Sequence, residues 1–131
     1  MGRVVVIASA LAIASLGAGC KSTDEDNGQS SLSELMAQVD CATGPVPTYN
    51  EVAIFTKCAA CHSSQLMGPA RREAPPDINF DSFDGADAHA TKAATEAYEG
   101  AMPPAGSGIT VTEEEKQQLY RWSLCGSMPT P

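Results

Sequence analysis

Cys58-Ala59-Ala60-Cys61-His62 is the stretch that decides the fold, because it places two thiols and an imidazole almost side by side. A C-x-x-C-H sequence is the attachment signature of a c-type haem. On a helix, residues i, i+3 and i+4 share one face, so both sulfurs reach the vinyl groups at one haem edge while His62 binds the iron. The motif predicts one covalent haem c on Cys58 and Cys61, with His62 as an axial iron ligand.

Two other uses of a C-x-x-C pair compete with this interpretation. A thioredoxin-like dithiol requires a βαβ context, which the sequence does not indicate. A structural zinc site requires four ligands, typically from a second paired motif. The chain has no second C-x-x-C and no H-x-x-x-H, so haem is favoured over both.

Residues 1–19 have the features of an export signal. Arg3 gives a positive start, and residues 4–16 form an apolar run that is short for a bilayer span. Small residues then lead into Cys20, an arrangement that resembles a bacterial lipoprotein signal, although Gly17 stands where leucine is usual. The resemblance implies a lipid anchor on Cys20 and a location at the periplasmic side of the bacterial cell envelope. The alternatives are simple cleavage of the signal or an uncleaved anchor.

The remaining cysteines form one candidate pair. With Cys20 assigned to lipid and two cysteines to haem, Cys41 and Cys125 are left in an oxidising compartment, where disulfides persist. We predict a disulfide that ties the two ends of the domain together and contributes on the order of 4 kcal/mol in the chain-entropy model. The alternatives are two unrelated thiols, or one of the pair serving as an iron ligand.

Composition divides the mature chain in two. Residues 20–43 are polar at first and are predicted to form a flexible tether, with a short helix before Cys41. Gly44-Pro45-Val46-Pro47 breaks that helix and marks the edge of the folded domain, residues 44–131.

Three helices are predicted in the domain. The first covers about 49–58, behind a capping box formed by Thr48 and Glu51, and the last runs from Thr112, capped with Glu115, to about 125. An alanine-rich helix lies between them at about 86–98. The stretch at 77–83 is expected to be a loop over the haem edge rather than a strand.

The second axial position of the iron has several candidate ligands. Met102 lies forty residues past His62 and is followed by two prolines, which fix the backbone around a thioether. We favour Met102 as the ligand, with His89 or an open position as alternatives. If Met102 does not bind the iron, it is expected to be a core methionine that fills a gap beside the haem ring. The less favourably placed methionines are Met36, Met67 and Met128.

Four stretches together resemble a small class I-type c-type cytochrome, similar to single-haem domains of exported bacterial proteins. They are Cys58–His62, Ala74-Pro75-Pro76-Asp77, Met102-Pro103-Pro104, and Thr112 to Gly126. The resemblance implies an all-α domain of three to four helices around the covalent haem. It further implies that Phe55 of the first helix faces Leu119 and Trp122 of the last, and that a carbonyl near Pro69 accepts the Nδ1 proton of His62.

Two further features have modest predicted roles. Arg71 and Arg72 are expected to be solvated, with pairing to a haem propionate as the alternative. Asp77-x-Asn79-x-Asp81 imitates the start of a calcium loop, but the glycine and glutamate required later in such a loop are missing, so calcium is not expected.

A haem with His and Met ligands leaves no position for a substrate, and this ligation raises the reduction potential. We therefore expect an electron carrier and not an enzyme. The alternative is a haem-based sensor or small-ligand-binding protein with a labile sixth ligand. A peroxidase of the exported two-haem kind would need a second C-x-x-C-H, which the chain lacks.

Charge limits the class of partner. The net charge of −8 argues against nucleic acid, which requires a basic face. It favours positively charged redox partner proteins of the cell envelope, although a generally acidic, solvated surface explains the charge equally well.

Overall fold

The computed structural model describes residues 26–127. The predicted signal, Cys20 and Met128 lie outside them. The described part contains α-helices and two short 3-10 helices but no strand, so the all-α class is confirmed. The α-helices are α1 (Asp26–Gln38), α2 (Ile54–Cys58), α3 (Phe83–Ala88), α4 (Ala90–Glu99) and α5 (Glu113–Leu124), and the 3-10 helices are Tyr49–Glu51 and Gly68–Arg71.

Both predicted capping boxes are confirmed. The Glu115 carboxylate accepts from the Thr112 N–H at 2.8 Å, and the Thr112 hydroxyl accepts from the Glu115 N–H at 3.2 Å. The Glu51 carboxylate likewise accepts from the Thr48 N–H at 2.7 Å. Each box satisfies donors that the first turn of a helix leaves unpaired.

The predicted helix at 49–58 is divided into two. Val52, with a ψ of 86°, separates the 3-10 helix from α2. Val52, Ile54 and Phe55 are all buried. Residues two apart point to nearly opposite sides of a continuous helix, so the break lets Val52 and Ile54 both reach the core.

The predicted alanine-rich helix is also divided. It begins earlier than expected, with the Ser82 hydroxyl accepting from the Gly85 N–H at 3.2 Å, and His89 separates α3 from α4. Gly100, at a φ of 75°, ends α4 as predicted. The small buried side chains of α4 allow it to pack closely on α1 and α5, and they are Ala90, Ala94 and Ala97. Ala86 of α3 is buried as well.

Helix α1 occupies part of the stretch predicted as a flexible tether. Leu35 is 1 % exposed, α1 packs on α4, and Gln38 Nε2 donates to the Tyr98 hydroxyl at 2.9 Å. A short helix is marginal by itself, so this packing supplies its stability. The folded unit therefore begins before residue 44, and five α-helices replace the three to four that were predicted.

The core forms where α2 crosses α5, as predicted. Phe55 contacts Trp122 edge to face, with ring centroids 4.9 Å apart, and Leu119 is buried in the same core cluster. The predicted disulfide between Cys41 and Cys125 is present, with Cα atoms 5.3 Å apart across a separation of 84 residues. Beside it, Arg121 donates to the backbone carbonyls of Asp40, Gly44 and Pro45.

Candidate haem-binding site

The C-x-x-C-H motif begins at the last residue of α2 and continues as tight turns. The N–H groups of Cys61 and His62 both donate to the Cys58 carbonyl, at 3.1 Å and 2.8 Å. Cys58 and Cys61 are unpaired and partly buried. The motif thus keeps two free thiols and one imidazole within five consecutive residues, although only Cys58 lies in the helix.

The thiol of Cys58 is not activated for dithiol chemistry. Burial raises the pKa of Cys58 to about 11. Redox-active C-x-x-C pairs work through a thiolate whose pKa is lowered below the ordinary value. The described part also has no strand from which a βαβ unit could be built. Both observations disfavour the thioredoxin-like alternative.

His62 is oriented by a hydrogen bond from its Nδ1 to the Ile78 carbonyl at 3.2 Å. Because a carbonyl oxygen only accepts, Nδ1 carries the proton of the neutral ring and Nε2 keeps its lone pair. Burial lowers the pKa of His62, which favours that neutral form. A neutral imidazole with one nitrogen fixed in this way is the usual form of a metal-ligating histidine.

The predicted partner of His62 near Pro69 is wrong. Pro69 lies in the 3-10 helix Gly68–Arg71, and its carbonyl accepts instead from the Arg72 N–H at 3.1 Å. The tight turn engages that carbonyl locally. Ile78, in the extended stretch after Pro75-Pro76, supplies the acceptor.

Phe80 and Asp81 continue this extended stretch along the motif. The Phe80 N–H donates to the His62 carbonyl at 2.8 Å, and the two rings meet edge to face at 5.5 Å. Asp81 Oδ2 accepts from the Ser63 hydroxyl and from the N–H and hydroxyl of Ser64, all within 2.9 Å. Hydrogen bonds therefore join His62 and the two serines after it to the extended stretch.

The same hydrogen bonds set the charge state of Asp81. Asp81 is exposed, and the slight loss of solvent around it acts to raise its pKa, but the Ser64 N–H and the hydroxyls of Ser63 and Ser64 outweigh this and lower the pKa to about 2. A carboxylate that accepts several hydrogen bonds is stabilised in its charged form. The residues of the Asp77-x-Asn79-x-Asp81 pattern have separate hydrogen-bond partners. The Asp81 carboxylate accepts from Ser63 and Ser64, and Asn79 Oδ1 accepts from Arg71 at 3.0 Å.

The expectation that Arg71 is solvated is wrong, whereas Arg72 is exposed as expected. Arg71 is 6 % exposed. Its five N–H donors all bond to oxygens of the loop, namely the carbonyls of Ser63, Ala74, Pro75 and Ile78 and the side chain of Asn79. Arg72 donates only from Nη1 to the Ser107 carbonyl at 3.1 Å. Nothing in the sequence distinguishes these adjacent arginines.

The candidates for the sixth ligand lie in different surroundings. Met102 follows α4, its N–H donates to the Glu96 carbonyl at 3.1 Å, and its side chain is 40 % exposed. His89 lies at the break between α3 and α4, and its Nε2 donates to the Asp77 carbonyl at 3.2 Å. Met36 and Met67 are more exposed than Met102. The assignment of Met102 stays a prediction.

No family model, no curated protein and no solved structure matches the chain. Within residues 26–127, no group of three or more His, Cys, Asp or Glu side chains is arranged to hold a metal ion. A haem iron does not require such a group, because the porphyrin supplies four of its ligands. The helices of that same part include none long and apolar enough to cross a membrane.

The residues of the motif fit a haem by the chemistry of their donors. Cys58 and Cys61 offer two unpaired thiols for thioether bonds, and His62 offers Nε2 with its tautomer fixed by Ile78.

Proposed function

We propose that this protein is an electron carrier of the bacterial cell envelope, holding one covalent haem c. Cys58 and Cys61 would form the thioether bonds, and His62 and Met102 would be the axial ligands. A lipid on Cys20 would hold the protein on the periplasmic side of the membrane. In this proposal the protein is not an enzyme.

The hydrogen bond from His62 Nδ1 to Ile78 carries the proposal. It gives the imidazole a defined orientation and leaves Nε2 as the ligating nitrogen, on the same turn as two unpaired thiols. A histidine without a metal role needs no such combination. The contacts of Phe80 with His62 add rigidity to the same ring.

Haem supplies a reversible one-electron couple, whose potential the axial ligands and their hydrogen bonds adjust. The role of the chain would be to hold these ligands in fixed positions and to exclude water from one side of the haem. The buried aromatic side chains next to the motif suit that second task, and they are Phe55, Phe80 and Trp122. With protein ligands on both sides of the iron, no position remains for a substrate.

The acidic composition supports a basic redox partner. The chain carries a net charge of −8, and long-range attraction between opposite charges accelerates encounter at low salt. We expect the rate of electron exchange with a positively charged partner protein to fall as ionic strength rises, because screening shortens the reach of these charges.

The decisive experiment is the ferrous optical spectrum of the exported protein, before and after carbon monoxide, with non-covalent haem extracted. A low-spin c-type spectrum that the gas leaves unchanged would support two internal ligands and electron transfer. A shifted spectrum would instead favour the sensor or small-ligand function. Loss of all haem on extraction would overturn the proposal.

Two variants make the result specific. Met102→Ala is expected to open the sixth position and make the ferrous protein reactive to carbon monoxide, whereas the exposed Met67→Ala is the matched control and should behave as wild type. If both variants remain unreactive, Met102 is not the sixth ligand.

A further inference from the structure

Arg71 is a buried cation whose hydrogen bonds all go to neutral oxygens. All five of its donors are engaged within the loop, so none remains to bind a haem propionate. Burial of a positive charge is costly unless its surroundings compensate it. The four carbonyl dipoles and the amide of Asn79 provide that compensation, and they fix where the charge lies.

One of these carbonyls is shared with the candidate iron ligand. Ile78 O accepts from Arg71 Nη2 at 3.0 Å and from His62 Nδ1 at 3.2 Å. A carbonyl oxygen has two lone pairs and accepts both, but the charged donor forms the stronger hydrogen bond. The acceptor strength left for His62 is therefore reduced.

This sharing has a consequence for an iron bound at Nε2. A strong acceptor at Nδ1 gives the ring partial imidazolate character and makes it a better electron donor, which stabilises ferric iron. A weakened acceptor has the opposite effect. The positive charge of Arg71 on the same carbonyl also disfavours the more positive ferric state. Both effects act in one direction.

We propose that Arg71 is a positioning residue that raises the reduction potential of the haem through the Ile78 carbonyl it shares with His62. The inference rests on the proposed function, because it concerns the haem held by His62. It adds a determinant of the potential that lies outside the iron ligands.

The test uses the full-length protein with its covalent haem and three variants. Arg71→Gln removes the charge and most donors, Arg71→Lys keeps the charge without the five-donor geometry, and Arg72→Gln removes an equal charge one residue away. Arg72 is the matched control because it is exposed and its side chain has a single hydrogen bond, to the Ser107 carbonyl. The readouts are the midpoint potential from a spectroelectrochemical titration and the paramagnetically shifted proton signals of the His62 ring.

Arg71→Gln is expected to shift the equilibrium about tenfold toward the ferric form, which is about 59 mV for a one-electron couple. Arg71→Lys should shift it by a smaller factor, about threefold, and still move the His62 signals. Arg72→Gln should leave both readouts near wild type. If Arg71→Gln fails to fold, the Arg71→Lys result decides.

Equal shifts in Arg71→Gln and Arg72→Gln would overturn the proposal, because they would reflect net charge alone. Wild-type potential and His62 signals in a folded Arg71 variant would also overturn it, while the low-spin wild-type spectrum would leave the electron-carrier function standing. A wild type without covalent haem would remove the proposed function and this inference together.

Discussion

In each of two loops of this protein, one arginine donates hydrogen bonds to several backbone carbonyls, but the two loops are stabilised differently. Arg121 of α5 holds the loop at Asp40–Pro45 and is only partly buried, with the Cys41–Cys125 disulfide beside it. Arg71 holds the loop between residues 63 and 79, is almost fully buried, and has no disulfide within its loop. One loop has a covalent connection to α5, whereas the candidate site loop depends on polar contacts.

The difference indicates what each arginine contributes. Where a disulfide fixes the loop, the arginine satisfies carbonyls that water would also reach. Where the loop carries the acceptor for His62, the arginine donates to that same acceptor. We therefore expect substitutions in the first loop to change stability alone, and substitutions in the second to change both stability and the site.

Removal of the disulfide has the largest expected effect on stability. The double variant Cys41→Ser/Cys125→Ser should lose about 4 kcal/mol of unfolding free energy, because the unfolded chain regains the entropy of a long open loop. Urea unfolding of the wild type and the double variant measures this loss. The optical spectrum of the folded variant should match wild type, and a changed spectrum would show that the two loops are not independent.

Arg71→Met should cost roughly 3 kcal/mol, because the oxygens around the guanidinium lose their donors in a buried setting. Hydrogen exchange of the Phe80 and Ser64 N–H groups should accelerate in the same variant, since their acceptors, the His62 carbonyl and the Asp81 carboxylate, lie at the two ends of this loop. Arg71→Lys, which keeps the charge and some donors, is the control and should lose less. An unchanged exchange rate at Phe80 would contradict the role of Arg71 in holding the site.

Arg121→Met should cost only about 1 kcal/mol, because its acceptors are accessible to water and the disulfide still fixes the loop. The informative comparison is a double-mutant cycle. In the double-serine background the same substitution should cost more, by roughly 0.5–1 kcal/mol, since the arginine is then the main remaining connection. Strict additivity would show that the disulfide and Arg121 do not support the same loop.

Features encoded by local spacing were predictable from the sequence. The capping boxes at Thr48 and Thr112, the end of α4 at Gly100, and the pairing of Cys41 with Cys125 each depend on a few nearby residues or on counting cysteines. The contact of Phe55 with Trp122 followed from the family resemblance.

Features that depend on the path of a loop were not predictable. Arg71 and Arg72 are identical side chains in sequence, and the backbone decides which one is buried. Arg72 and Glu73 both adopt left-handed conformations, with φ of 50° and 70°, which reverse the chain after Arg71. The same path brings the Ile78 carbonyl, rather than one near Pro69, to His62. Burial of α1 through Leu35 likewise required knowledge of its partner helix.

Substitution of Asp81 has the smallest expected effect on the free energy of unfolding, and that effect depends most clearly on pH. Its pKa in the folded protein is about 2, below the ordinary value of 3.8, so the folded state binds a proton less readily than the unfolded state. The stabilisation is therefore complete above about pH 4 and is lost as the pH falls through about 2. Because Asp81 is exposed, we expect Asp81→Asn to cost only about 1 kcal/mol at neutral pH.

Urea unfolding of wild type and Asp81→Asn between about pH 6 and pH 2 tests this sign, because the two stabilities should converge as the carboxylate becomes protonated. Ser64→Ala removes one hydroxyl donor but keeps the carboxylate, so its curve should lie between the other two. A constant difference down to the lowest pH would mean that the Asp81 charge does not hold Ser63 and Ser64 beside the motif. The site loop would then depend on Arg71 alone, and the contrast with the disulfide-linked loop would be sharper.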